Sequence, residues 1–165
     1  METKQIFQNP IQIGIIVRDL ETLLDNFREI LGMDGFRIAE FPPDGSGTPI
    51  REYHGRQGDF SGRFCFYDWG NIELELIQPV SGESVWEDYL KTAPNGMGIH
   101  HVKFMVDHHE PTDRYFAEKG ISCVTAGEGV GPNSGRIWKF FDTFGKLGFD
   151  VEILNKVAGE RRKPL

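Results

Sequence analysis

Apolar and polar positions along this chain alternate with period two, then with helical period, then with period two again, and this succession occurs twice. Gln12 to Val17 reads as a strand that runs into a turn at Asp19, and His101 to Val106 reads the same way into Asp107. After Asp19, the residues Leu20, Leu23, Leu24, Phe27, Ile30 and Leu31 recur at helical spacing and predict one apolar helix face. Asp19 suits the N-cap, Glu21 the positive first turn, and Gly32 the C-terminal stop. In the second half a helix is predicted from Asp107 to Lys119, carrying Tyr115 and Phe116 and closed by Gly120.

Three strand-like segments follow each helix. Gly35–Phe41 corresponds to Ile121–Ala126, Gly62–Asp68 to Gly135–Phe141, and Ile72–Ile77 to Phe149–Leu154. The order β-α-β-β-β therefore occurs twice. Modules of about residues 10–80 and 97–155 are joined by Ser84–Leu90, where Ser84 and Glu87 form a capping box for a short linker helix that Pro94-Asn95-Gly96 ends. The expected fold class is α+β: one domain over residues 1–165, with two tandem βαβββ modules forming a curved mixed sheet around one metal-binding cavity. Residues 42–59 are expected to be a long, polar, glycine-rich loop.

Composition narrows the function classes. The formal charge is −7, and the only basic run is Arg161-Arg162-Lys163, read as a solvated tail, so no nucleic-acid partner is expected. The longest apolar stretch near the start, Ile13 to Val17, is far too short to span a bilayer, and Met1 to Gln5 holds no hydrophobic signal. Cys65 and Cys123 form no C-x-x-C pair and read as buried free thiols of a reducing compartment; the expectation is a soluble cytoplasmic protein. His108-His109 reads as an exposed turn. Gly127 to Pro132 fails as a dinucleotide loop, because Pro132 stands where the third glycine belongs, and reads as a turn before a strand.

Candidate chemistry comes from matching places in the repeat. Each first strand opens on a polar residue, Gln12 or His101, and each last strand carries a carboxylate between apolar neighbours, Glu75 or Glu152. A carboxylate so embedded is expensive to bury unless it is paired or metal-bound. Repeats packed with two-fold symmetry bring these four groups around one cavity, offering three oxygens and one nitrogen to a divalent cation. Glu73 and Asp150 are left out of the set, as residues expected to aim away from Glu75 and Glu152. Phe64, Phe66, Trp138 and Phe140 alternate on the third strands, where packing a core is the favoured reading over lining a pocket.

The paired pattern resembles the vicinal oxygen chelate superfamily, which includes glyoxalase I and methylmalonyl-CoA epimerase. It is carried by Gln12 to Val17 with Asp19, Leu31-Gly32-Met33, Glu75 to Pro79, Gly98 to Val102, and Val151 to Leu154. The resemblance implies one divalent ion (Zn, Co, Ni, Mn or Mg) on Gln12, Glu75, His101 and Glu152, with Glu75 and Glu152 as proton-moving groups. It further implies an isomerase or lyase working through an enolate or enediolate on a small molecule with adjacent oxygens or a thioester, and a homodimer. Module length and linker helix look most like methylmalonyl-CoA epimerase, whereas the Gln/Glu/His/Glu set looks more like lactoylglutathione lyase. A bleomycin-resistance-like ligand-binding protein remains an alternative; a ring-cleaving dioxygenase ranks low, because Gln12 stands where that chemistry needs a second His. Epimerases of this type resemble one another in a further glutamate before the third strand; Glu52 and Asp59 lie in that region but in no matching motif.

Overall fold

A computed structural model describes residues 6–45, 50–129 and 133–156. β1 (Pro10–Val17) leads to α1 (Leu20–Leu31), then β2 (Arg37–Phe41), β3 (Arg51–Tyr53), β4 (Arg56–Gln57), β5 (Ser61–Asp68) and β6 (Glu73–Ser81). α2 (Val85–Thr92) and a short turn at Pro94–Gly96 connect to β7 (Met97–Val106). There follow α3 (His109–Glu118), β8 (Cys123–Glu128), β9 (Ile137–Phe141), α4 (Phe144–Leu147) and β10 (Asp150–Asn155). All ten strands join one mixed sheet in the order β2-β5-β6-β1-β7-β10-β9-β8-β3-β4. Outward from the central antiparallel pair β1–β7, each half runs first strand, fourth, third, second, so the two halves mirror one another. The fold is α+β, as the repeat implies.

Local chemistry explains the helices. Asp19 caps α1 by accepting from the Thr22 N–H, and Gly32 closes it at φ 65°. Ser84 caps α2 by accepting from the Glu87 N–H. Leu20, Leu23 and Leu24 pack with Cys65, Leu74 and Leu76 on one face of the sheet, and Phe116 of α3 packs with Phe141, Val151 and Ile153 on the same face of the other half. The opposite face is concave. The rings of Phe41 on β2 and Trp138 on β9 lie 5.9 Å apart although many strands separate them in the sheet, so the sheet curls. α2 closes over that hollow, placing Trp86 5.4 Å from Phe64 and 5.9 Å from Trp138.

Several expectations need correction. Ile30 and Leu31 are 75% and 59% exposed, so the apolar face predicted for α1 is not buried through its last turn. Cys65 is buried, but Cys123, at the first position of β8, is exposed. His108 is exposed as expected, whereas His109, the first residue of α3, is buried. Within residues 42–59, β3 and β4 form a hairpin through His54 and Gly55, both at positive φ, and β3 extends the sheet by pairing with β8. The segments Met1 to Gln5, Val130 to Pro132 and Arg161 to Lys163 lie outside the described residues. No helix among the described residues is long and apolar enough to cross a membrane.

Candidate metal centre

The four middle strands, β6-β1-β7-β10, carry Glu75, Gln12, His101 and Glu152. All four residues are buried. Register sets Glu75 and His101 level with Gly14, and Gln12 and Glu152 level with Lys103, two residues along. Gly14 pairs with Glu75 on one side and His101 on the other, while Asp150 pairs with His101 and Glu152 with Lys103. Gly14 leaves a gap that the His101 ring fills: a Cβ there would lie 1.9 Å from the imidazole. β7 is bulged opposite β1, because Gly14 pairs with His101 and Ile15 with Ile99, leaving His100 as the extra residue. A bulge re-aims side chains, and here His100 and His101 face each other, their Nδ1 atoms 3.1 Å apart. His100 Nε2 lies 3.5 Å from Asp150 Oδ2. Asp150 is held from behind by the Thr143 and Phe144 N–H groups.

His101 Nε2 stands 3.0 Å from Glu75 Oε2 and 3.3 Å from Glu152 Oε2. These three residues offer ligand atoms within 4.8 Å of one another, a group able to hold a metal ion. Gln12 is beside them, but its amide nitrogen donates to Glu73 Oε1 at 2.6 Å. Glu73 is tied in turn to Arg37 at 3.2 Å. The expectation that Glu73 and Asp150 aim away from Glu75 and Glu152 fails, because residues two apart on a strand share a face. Both flank the cluster as supports.

Lys103 is the residue that sequence reasoning missed. It lies two positions after His101, so it shares the concave face. Its Nζ is 3.1 Å from Glu152 Oε1 and 4.0 Å from Glu75 Oε1. A lysine between the apolar Val102 and Phe104, two places after His101, is the signal available. Burial alone would lower its pKa, but Glu152 and Glu75 outweigh that and raise it, so Lys103 stays charged. Burial pushes Glu152 up to about 7, helped by the neighbouring Glu75 charge. For Glu75 burial is outweighed by Lys103 and the His101 hydrogen bond, so it lies below the usual carboxylate range. Burial, with His101 adding to it, holds His100 well below the usual imidazole range, so His100 is neutral.

Phe64, Phe66, Trp138 and Phe140 both pack the concave core and line the cavity above the carboxylates, together with Trp86, Ile77, Leu154 and Lys103. The two readings of those rings are therefore compatible. The cavity measures about 20 Å³, room for roughly one water molecule. Glu52 and Asp59 are not among the residues that line it; Glu52 lines a separate groove with Asp113 and Lys139.

The family model described as Glyoxalase/Bleomycin resistance protein/Dioxygenase superfamily matches residues 11–139. The chain belongs to this superfamily. Its vicinal oxygen chelate fold is shared by methylmalonyl-CoA epimerase from Mycobacterium tuberculosis, with TM-score 0.61, 18% identity, and 95% and 93% of the two chains covered. A hypothetical protein from Bacillus halodurans C-125 aligns at TM-score 0.59 and 20% identity, covering 94% and 98%. A variant of the Streptomyces coelicolor methylmalonyl-CoA epimerase in complex with 2-nitronate-propionyl-CoA aligns at TM-score 0.59 and 21% identity, covering 96% and 99%. No curated protein matches the sequence.

Vicinal oxygen chelate proteins commonly bind a metal, and the donor set here fits one on two observations. Glu152 Oε2 and Gln12 Oε1 are buried oxygens with no hydrogen-bond partner among the described residues. Such atoms cost free energy unless something positive meets them. The separations of 3.0 and 3.3 Å between His101 Nε2 and the two carboxylate oxygens also match neighbouring ligands of one ion. Ligands bonded at about 2.0–2.2 Å stand roughly 2.8–3.1 Å apart at octahedral angles and about 3.3–3.6 Å at tetrahedral ones.

Proposed function

We propose that this chain is a metal-dependent isomerase or lyase that moves a proton at a carbon beside a thioester or between adjacent oxygens, most like a methylmalonyl-CoA epimerase. The observation that carries the reading is the buried Glu75–His101–Glu152 cluster beneath an aromatic-lined cavity. Gln12, Glu75, His101 and Glu152 would hold the ion. Once bound, a divalent ion would supply Lewis-acid polarisation of a substrate oxygen.

The chain's own residues divide the remaining work. Glu152 lines the cavity and is the carboxylate placed to take and return a proton. Glu75 lines it from the other half, held by the His101 imidazole. The rings of Phe64, Phe66, Trp138 and Phe140 exclude water from the reacting carbon and strengthen every charge interaction below them. A substrate larger than a water molecule enters only with displacement of these rings, so binding and side-chain movement are coupled. The epimerase reading further draws on the thioester ligand bound by the Streptomyces coelicolor relative. The amide at Gln12 is the one feature that favours a glyoxalase-type lyase. A homodimer and a cytoplasmic setting belong to the same proposal.

The test is elemental analysis of protein purified without chelator, followed by deuterium exchange of methylmalonyl-CoA in heavy water. About one divalent ion per chain, and exchange lost by at least about a hundredfold in Glu152→Gln, are expected. Exchange that is undiminished in Glu152→Gln would remove the proton role assigned to that residue.

A further inference from the structure

Lys103 has no part in the proton transfer proposed above, yet it is buried in the middle of the cluster. Its geometry separates the four carboxylate oxygens into two pairs. The inner pair, Glu75 Oε2 and Glu152 Oε2, faces His101 Nε2 at 3.0 and 3.3 Å. The outer pair, Glu75 Oε1 and Glu152 Oε1, faces Lys103 Nζ at 4.0 and 3.1 Å. An ion on the inner oxygens and the ammonium on the outer ones would share the same two carboxylates.

We infer that Lys103 is a positioning residue that weakens and tunes ion binding: it orients Glu75 and Glu152 through their outer oxygens and opposes a divalent cation at their inner ones. This rests on the metal reading given above. Two like charges on opposite sides of one carboxylate repel strongly where water is excluded. The ammonium also draws on carboxylate charge that an ion would otherwise use. Two carboxylates, one ammonium and one divalent ion together leave a single positive charge, where the same ligand set without Lys103 would be neutral. That surplus charge faces an aromatic cavity and is placed to balance a negative charge that develops on the substrate as a proton leaves carbon. The consequence is a centre that exchanges its ion readily and favours an anionic transition state over tight metal storage.

The test is calorimetric titration of the chelator-treated full chain with cobalt(II), for the parent, Lys103→Gln and Lys103→Arg. The glutamine keeps a hydrogen-bond donor for Glu152 and removes the charge; the arginine keeps the charge. Lys103→Gln is expected to bind cobalt on the order of tenfold tighter or more, and Lys103→Arg about as weakly as the parent. A structural role alone would weaken binding in both variants. Equal or weaker binding by a folded Lys103→Gln overturns the inference while leaving the metal reading intact. No binding by any of the three chains removes the metal reading and the inference with it. Where Lys103→Gln does not fold, Lys103→Met, which keeps the length of the side chain without its charge, decides: it is expected to bind cobalt tighter than the parent, and equal or weaker binding overturns the inference.

Discussion

At the scale of single residues the centre depends on what is missing as much as on what is present. Gly14 lies between Glu75 and His101 in the sheet register, and the His101 imidazole occupies the space where a side chain would stand. Gly14→Ala puts a methyl group 1.9 Å from ring atoms unless His101 swings away. The ring has little freedom, since His100 Nδ1 and the Phe140 ring also press on it. Overpacking of this kind costs about 1–3 kcal/mol. Gly14→Ala is therefore expected to lower the thermal midpoint and also to abolish cobalt binding, read by melting and titration of the same sample. A variant that melts lower yet binds cobalt normally would mean that His101 is not a ligand. None of this was legible in the sequence, where Gly14 reads as one small residue in an apolar strand. Lys103 was legible in principle, because it shares the His101 face by simple alternation. The same rule, applied to Glu73 and Asp150, would have placed them beside the cluster rather than away from it.

At the scale of elements, capping and repeat order carried most of the information. The Ser84-x-x-Glu87 spacing predicts the N-cap of a linker helix, and α2 begins there, the Ser84 hydroxyl accepting from the Glu87 N–H at 3.1 Å. That helix matters to the site because it presses Trp86 into the hollow of the sheet. Ser84 is almost fully buried, so no water replaces a lost hydroxyl. Ser84→Ala is expected to cost about 1 kcal/mol, and Ser84→Thr much less, as measured by urea denaturation. Equal losses in the two variants would trace the effect to packing rather than to the cap. The β3–β4 hairpin was not visible in advance: its strands are only three and two residues long, and its polar, glycine-rich sequence carries no alternation. Its place is fixed by tertiary partners, through pairing with β8 and the Tyr53 hydroxyl donating to Asp88. The bulge at His100 was hidden for a related reason. A bulge is defined by the partner strand, and His100-His101 has the same spelling with or without one.

At the scale of the whole molecule, the two halves are mirrored in strand order yet cannot be treated as two units. Their convex cores are separate: α1 packs on Leu74, Leu76 and Cys65, and α3 on Phe141, Val151 and Ile153. The concave core is shared. It draws Phe41, Phe64 and Ile77 from the first half, Val124, Trp138, Phe140 and Leu154 from the second, and Trp86 from between them. The central β1–β7 pairing and the carboxylate cluster likewise take one side from each half. Removing either half would strip the other of its concave packing, and removing the second would leave Glu75 without Lys103 and His101. Unfolding should therefore be a single cooperative event. Urea titration is expected to give coincident midpoints by far-ultraviolet circular dichroism, which reports all helices and strands, and by tryptophan fluorescence, dominated by the buried Trp86 and Trp138. Separate midpoints would show that the convex cores outlast the shared one, and that the repeat visible in the sequence survives as two folding units. A single midpoint that shifts together in both signals on adding cobalt would tie the centre to the cohesion of the two halves, because an ion held from both sides stabilises only the state in which they are joined.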